Sequence, residues 1–180
     1  MPIGVNSGTK NVPLKLAKEI TIKANEAWSN GSFLENVTPV TKDLLRYWFS
    51  PVFTDSRMYN FHQGQRQAIL NTIYVHEILK SDTVFDMYAS VNEAILSELD
   101  VNILNQDKYK YPKYCMKMAT GTGKTWVLGA LLIWQYLNAK YEETKSGRYS
   151  KNFLLVAPGL IVYERLLDSY LGKENVDGNR

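Results

Sequence analysis

Met118-Ala119-Thr120-Gly121-Thr122-Gly123-Lys124-Thr125 is a glycine-rich turn that ends in Gly-Lys-Thr and stands between a short apolar run and a long one. Glycines at 121 and 123 let backbone N–H groups curl inward around phosphate oxygens. Lys124 can reach terminal phosphates, and the Thr125 hydroxyl can ligate Mg²⁺. A chance Gly-Thr-Gly turn would need neither Lys124 nor Thr125. The stretch predicts a nucleoside-triphosphate site, and its flanks predict the fold around it.

Tyr114 to Met118 is short and mostly apolar, with Pro112 ahead of it, as expected of a strand entering the loop. Trp126 to Leu137 is apolar on nearly every face, and its length favours a helix buried on most sides. The first N–H groups and positive dipole end of such a helix would point at the phosphates. Phe153-Leu154-Leu155-Val156-Ala157 reads as a second buried strand, stopped by Pro158-Gly159. Strand, crossover helix and strand make a right-handed βαβ unit, so the expected class is α/β with a parallel sheet.

The 180 residues, 45% hydrophobic and 22% charged, suffice for one substantial core. A single cysteine, Cys115, excludes disulfides within the chain; in an apolar strand it reads as core packing in a reducing compartment. No apolar run is long enough for a membrane helix, and Met1 to Lys10 has no apolar signal core, which points to the cytoplasm. A net charge of +3 does not announce nucleic acid. Lys145, Arg148 and Lys151 cluster before the second strand, a pattern more often a solvated loop than a phosphate track.

Upstream, Leu16, Ile20, Ala24 and Ala27 recur at helical spacing, although Ile20, Ile22 and Ala24 also alternate; a helix is the preferred reading. Ser29-Asn30-Gly31-Ser32 breaks it. Thr41 to Phe49 carries Leu44, Leu45, Tyr47, Trp48 and Phe49, a cluster read as core rather than as a base-stacking platform. From His62 to Leu79, the positions Ile69, Leu70, Ile73, Tyr74 and Ile78 mark an amphipathic helix. Gln65, near its start, has an amide able to pair with adenine through the exocyclic amine and N7, although glutamines in first turns are also commonly solvated or capping residues.

Phe61-x-x-x-Gln65-Arg66-x-Ala68-Ile69, the Lys117 to Thr125 stretch with Trp134-Gln135 beyond, and Ala157-Pro158-Gly159-x-x-Val162-x-x-Arg165-Leu166 resemble the glutamine motif, motif I and motif Ia of superfamily 2 helicases and translocases. Within that superfamily they are most similar to the restriction (Res) subunit of type III systems, over roughly Phe61 to Leu167. The resemblance implies a P-loop NTPase (RecA-like) parallel-sheet core, here incomplete. Residues 1–60 would be a mainly helical N-terminal extension. Residues 61–180 would be the N-terminal part of the ATPase domain, with an inserted helix near 84–105 marked by Met87, Val91, Ile95 and Leu99.

The resemblance also implies ATP and Mg²⁺ as cofactors. Gln65 would recognise adenine. Gly121, Thr122 and Gly123 would wrap the β-phosphate, with Thr120 beside them among the nucleotide-binding residues; Lys124 would contact the β- and γ-phosphates, and Thr125 would hold the metal. Lys124 and Thr125 would be the catalytic residues of this segment. Pro158 and Gly159 would touch the backbone of double-stranded DNA, along which an ATP-driven translocase would move in association with cleavage and with a modification methyltransferase subunit.

Met118 stands where a general phosphate loop has its first glycine, which fits helicases better than nucleotide kinases. Phosphoryl transfer also needs a second carboxylate element to complete Mg²⁺ coordination and orient water. No Asp-Glu pair follows an expected strand, and Glu142-Glu143 reads as solvated. With the sequence ending at Gly178-Asn179-Arg180, the expectation is an N-terminal piece of a larger enzyme, with weak or absent turnover by itself. The competing classes are a non-catalytic nucleotide- or DNA-binding module acting with a second polypeptide, and a P-loop kinase.

Overall fold

Val12, Leu16, Ile20 and Ala24 fall four residues apart, so a helix aligns them on one face, and all four are buried on α1 (Val12–Ser29). The computed structural model describes residues 12–104, 106–109, 111, 113–142, 147–173 and 175. The expectations placed on residues 1–10, Pro112, Glu143, Lys145 and 178–180 lie outside them. After α1 come α2 (Ser32–Glu35), α3 (Pro39–Phe49), α4 (Pro51–Thr54) and α5 (Gln63–Ile73). Then follow α6 (Val84–Val91), α7 (Glu93–Leu96), α8 (Val101–Leu104), α9 (Lys124–Tyr141) and α10 (Leu160–Leu171). The chain forms two compact units, Met1–Thr38 with Arg66–Lys117, and Pro39–Gln65 with Met118–Arg180.

In the first unit α1 packs on α2, α6, α7 and the turn that follows α5. Gly31, at φ 85°, makes the tight break between α1 and α2 that a side chain would strain. Phe33 is buried between Trp28 and Tyr74, with ring centroids 5.7 and 6.1 Å away. Burial, and secondarily the charge of Glu26, raises the Tyr74 phenol above its ordinary pKa. Beyond α5 the helix widens into a π turn, Tyr74–Ile78, closed by Leu79 N–H donating to Tyr74 O at 2.9 Å. The wider turn buries four successive residues, Tyr74 to Glu77, which a single stripe of an α-helix does not do. Buried Glu77 accepts a 2.8 Å hydrogen bond from the Thr38 N–H.

In the second unit α3 packs on α9. The fully buried Thr41 hydroxyl accepts from Trp134 Nε1 and Asn138 Nδ2, both at 3.0 Å, while Asn138 Nδ2 also donates to Trp134 O at 2.9 Å. Tyr149 meets the Trp134 ring edge-on at 5.8 Å. α10 lies on α9 without a buried residue of its own.

The expected parallel-sheet, RecA-like α/β core is not what forms: among the described residues there is no strand, and the secondary structure is helical. Tyr114 to Met118 and Phe153 to Ala157 lie outside every helix but pair with nothing as a ladder, so the βαβ unit is absent. The physical reason is that a strand is defined by a neighbour's N–H and C=O groups, whereas an apolar run only reports a wish for burial. The second run does not achieve it: Leu154 is 88% and Val156 82% exposed. Cys115, expected in a core, is exposed.

Other expectations shift less. α9 forms where expected but buries one stripe, Val127, Ala130, Leu131, Trp134 and Asn138, leaving Trp126, Ile133 and Tyr136 exposed. In α3 the aromatic cluster divides: Trp48 is buried and Tyr47 exposed. In place of one inserted helix stand three short ones, α6, α7 and α8; the first break is at Asn92, whose backbone is extended and whose side chain caps α7 by accepting from Ala94 N–H. Met87, Val91 and Ile95 are nonetheless all buried. Glu142 is half-buried and accepts from Val40 N–H at 3.2 Å, at the start of α3, rather than facing solvent.

Thr41→Val keeps the shape of the α3–α9 contact and removes its shared acceptor, stranding buried N–H groups. An expected loss of about 1–3 kcal/mol of stability is read by urea unfolding, and an unchanged midpoint would contradict the role given to this hydroxyl.

Candidate nucleotide site

The loop before α9 turns on two glycines with positive φ, Gly121 at 79° and Gly123 at 68°. Gly123 is the N-cap of α9 and supplies no side-chain cap. The helix therefore presents its first N–H groups and its positive dipole end with no acidic residue in its first turn, a setting that favours an anion. Lys124 is exposed and Thr125 half-buried. The Lys124 ammonium donates to Ala119 O at 2.8 Å, and the Thr122 hydroxyl donates to the same oxygen at 2.7 Å. A neutral carbonyl thus holds a cation that an ionised phosphate oxygen would hold more strongly, since it adds the attraction of opposite charges.

The start of α5 meets this loop. Gln65 is only 6% exposed, and its amide nitrogen donates to Thr122 O at 3.2 Å and Gly123 O at 3.3 Å. Its Oε1 accepts from His62 N–H at 3.0 Å, and His62 Nε2 lies 3.0 Å from Thr122 O. The structure thus brings Gln65 together with Thr122 and Gly123. Sequence reasoning gave His62 no role, although His62-x-x-Gln65 has the spacing of a capping box and was available as a signal.

Gly123 is constrained twice. Its φ is in the left-handed region, and a β-carbon there would collide with the Gln65 amide nitrogen. Gly121 has the same backbone need but open space around it.

Beside Thr125 a cavity of about 410 Å³ opens between α3, α9 and α10, lined by Trp48, Arg57, Phe61, Trp126 and Tyr170 among others. Phe61 stands edge-on to Trp48 at 6.0 Å and to Trp126 at 5.9 Å. Arg57 stacks on the Tyr47 ring at 4.7 Å and donates to Tyr47 O and to Phe53 O, which ties the end of α3 to α4. Burial raises the Tyr170 phenol above its ordinary pKa, so it remains a neutral donor at the cavity wall. Planar aromatic walls with a guanidinium at the edge suit a flat heterocycle.

Pro158 and Gly159 are exposed and precede α10, whose first turn closes through Val162 N–H and Tyr163 N–H donating to Gly159 O at 3.1 and 3.0 Å. Among the described residues they form no hydrogen bond with the glycine-rich loop.

Gly121→Ala is expected to cost about 1 kcal/mol through its left-handed backbone alone. Gly123→Ala is expected to cost more, because the Gln65 amide must also leave the loop carbonyls. Urea unfolding of the two variants measures the difference, and equal costs would mean that the Gln65 contact carries no weight.

A family model described as type III restriction enzyme, res subunit, matches residues 58–178. No curated protein and no solved structure matches the chain.

Proposed function

The chain belongs to the family of type III restriction enzyme res subunits, helicase-like ATPases that act on DNA, and we propose that its own part is to bind ATP with Mg²⁺ at Met118–Thr125. The observation that carries this reading is the pre-shaped loop: two positive-φ glycines, an uncapped α9 N-terminus, and Lys124 resting on Ala119 O until an anion replaces that carbonyl. Lys124 would hold the β- and γ-phosphates and Thr125 the Mg²⁺, while Thr120, Gly121, Thr122 and Gly123 supply the wrap. The metal supplies charge neutralisation between phosphate oxygens.

Gln65 would read adenine in a narrower way than a bidentate amide pair. Its amide nitrogen is committed to Thr122 O and Gly123 O, and one Oε1 lone pair to His62 N–H. One acceptor lone pair remains. That lone pair suits the exocyclic amine of adenine and not the O6 acceptor of guanine.

Around this site the family suggests a larger activity: ATP-driven movement on double-stranded DNA in the cytoplasm, in association with cleavage and with a modification methyltransferase. Pro158 and Gly159 would lie against the DNA backbone. Turnover by these residues alone is expected to be weak, because among the described residues no carboxylate is identified that would join the Thr125 hydroxyl in holding the metal.

Calorimetry with ATP–Mg²⁺ tests the phosphate site. Lys124→Ala should weaken binding roughly tenfold or more, the worth of charge-assisted hydrogen bonds, and unchanged affinity would refute the assignment. Wild-type protein should prefer ATP to GTP, and Gln65→Ala should erase the preference; a preference that survives would remove Gln65 from base reading.

A further inference from the structure

His62 is the N-cap residue of α5, one position before Gln63. Its Nδ1 accepts from the N–H groups of Gly64 at 3.1 Å and Gln65 at 3.4 Å, the second and third residues of the helix. In return Gln65 Oε1 accepts from His62 N–H at 3.0 Å. These reciprocal bonds make a capping box in which an imidazole replaces the usual hydroxyl. A hydroxyl would cap the helix equally well. What it would lack is a second arm.

The imidazole has that arm. Because Nδ1 receives two N–H donors, it carries no proton, so in the neutral ring the proton sits on Nε2. Nε2 lies 3.0 Å from Thr122 O, which can only accept. Thr122 O also takes the Gln65 amide, so both of its lone pairs are filled by side chains from the start of α5. One ring thereby ties a helix terminus to the middle of the glycine-rich loop.

We propose that His62 is a positioning residue for nucleotide binding: as the neutral Nε2–H tautomer it bridges the α5 N-terminus and the Thr122 carbonyl and holds the loop in its binding shape. It touches no phosphate. Its effect passes through the direction of the Thr122–Gly123 peptide and so through the N–H groups that follow. Its value to nucleotide binding depends on the loop being the triphosphate site; its tautomer does not.

Two measurements decide it. The chain has only two histidines, so ¹⁵N imidazole spectra of the wild type and of His62→Asn assign the His62 ring. An Nε2–H tautomer is expected, and an Nδ1–H tautomer or a free average of the two would overturn the bridge. Asparagine is a good N-cap but too short to reach Thr122 as well. His62→Asn should therefore keep the thermal midpoint near that of the wild type while ATP–Mg²⁺ affinity falls roughly five-fold, the worth of one hydrogen bond. His62→Ala should lower both. Wild-type affinity in His62→Asn would overturn the positioning role while leaving the triphosphate site standing. A wild type that binds no ATP–Mg²⁺, with the tautomer as expected, would instead overturn the site, and with it the role of His62 in binding.

Discussion

The carbonyl oxygens of Thr122 and Gly123 are where the site is held. A glycine-rich loop has little intrinsic preference for one shape, and ordering each residue costs about 1–2 kcal/mol of backbone entropy. Here side-chain donors meet that cost: Gln65 reaches both carbonyls and His62 one of them. Their own geometry is fixed in turn by the helix they begin, because each caps the other. The absence of a side chain at Gly123 is part of the same constraint, since the Gln65 amide occupies the space a β-carbon would fill.

Lys124 completes the picture of a loop closed on itself. Its ammonium and the Thr122 hydroxyl share Ala119 O, so on the proposed reading an anion would replace that acceptor with a better one. Behind the loop, α9 is anchored by a polar contact inside an apolar interface. The Thr41 hydroxyl takes the indole N–H of Trp134 and the amide of Asn138, which fixes the register of α9 against α3 more narrowly than non-directional apolar contacts could.

The legible parts of the sequence were those set by local spacing. Leu16, Ile20 and Ala24 announced α1, and Ile69, Leu70 and Ile73 announced the buried face of α5. The Gly-Lys-Thr turn announced the start of α9, because glycine φ and helix polarity act within a few residues. The sheet was misread because Phe153 to Ala157 carries the apolar composition of a buried strand, while pairing is decided by chain far away in sequence. The break at Asn92 was missed for a subtler reason: with no glycine or proline nearby, only the asparagine's habit of capping marked it. Glu142 showed the opposite error, a charged residue in a polar stretch that accepts a backbone N–H at the start of α3. His62 was passed over because histidine is seldom counted among capping residues, although its spacing to Gln65 was in plain view.

Hydrogen exchange of the protein with and without a non-hydrolysable ATP analogue and Mg²⁺ tests most directly that this loop takes the triphosphate and is coupled to the start of α5. The account predicts that protection rises together in Gly121 to Trp126 and in Gly64 to Arg66, with little change in α1. Protection that appears elsewhere, or in neither segment at saturating analogue, would contradict it.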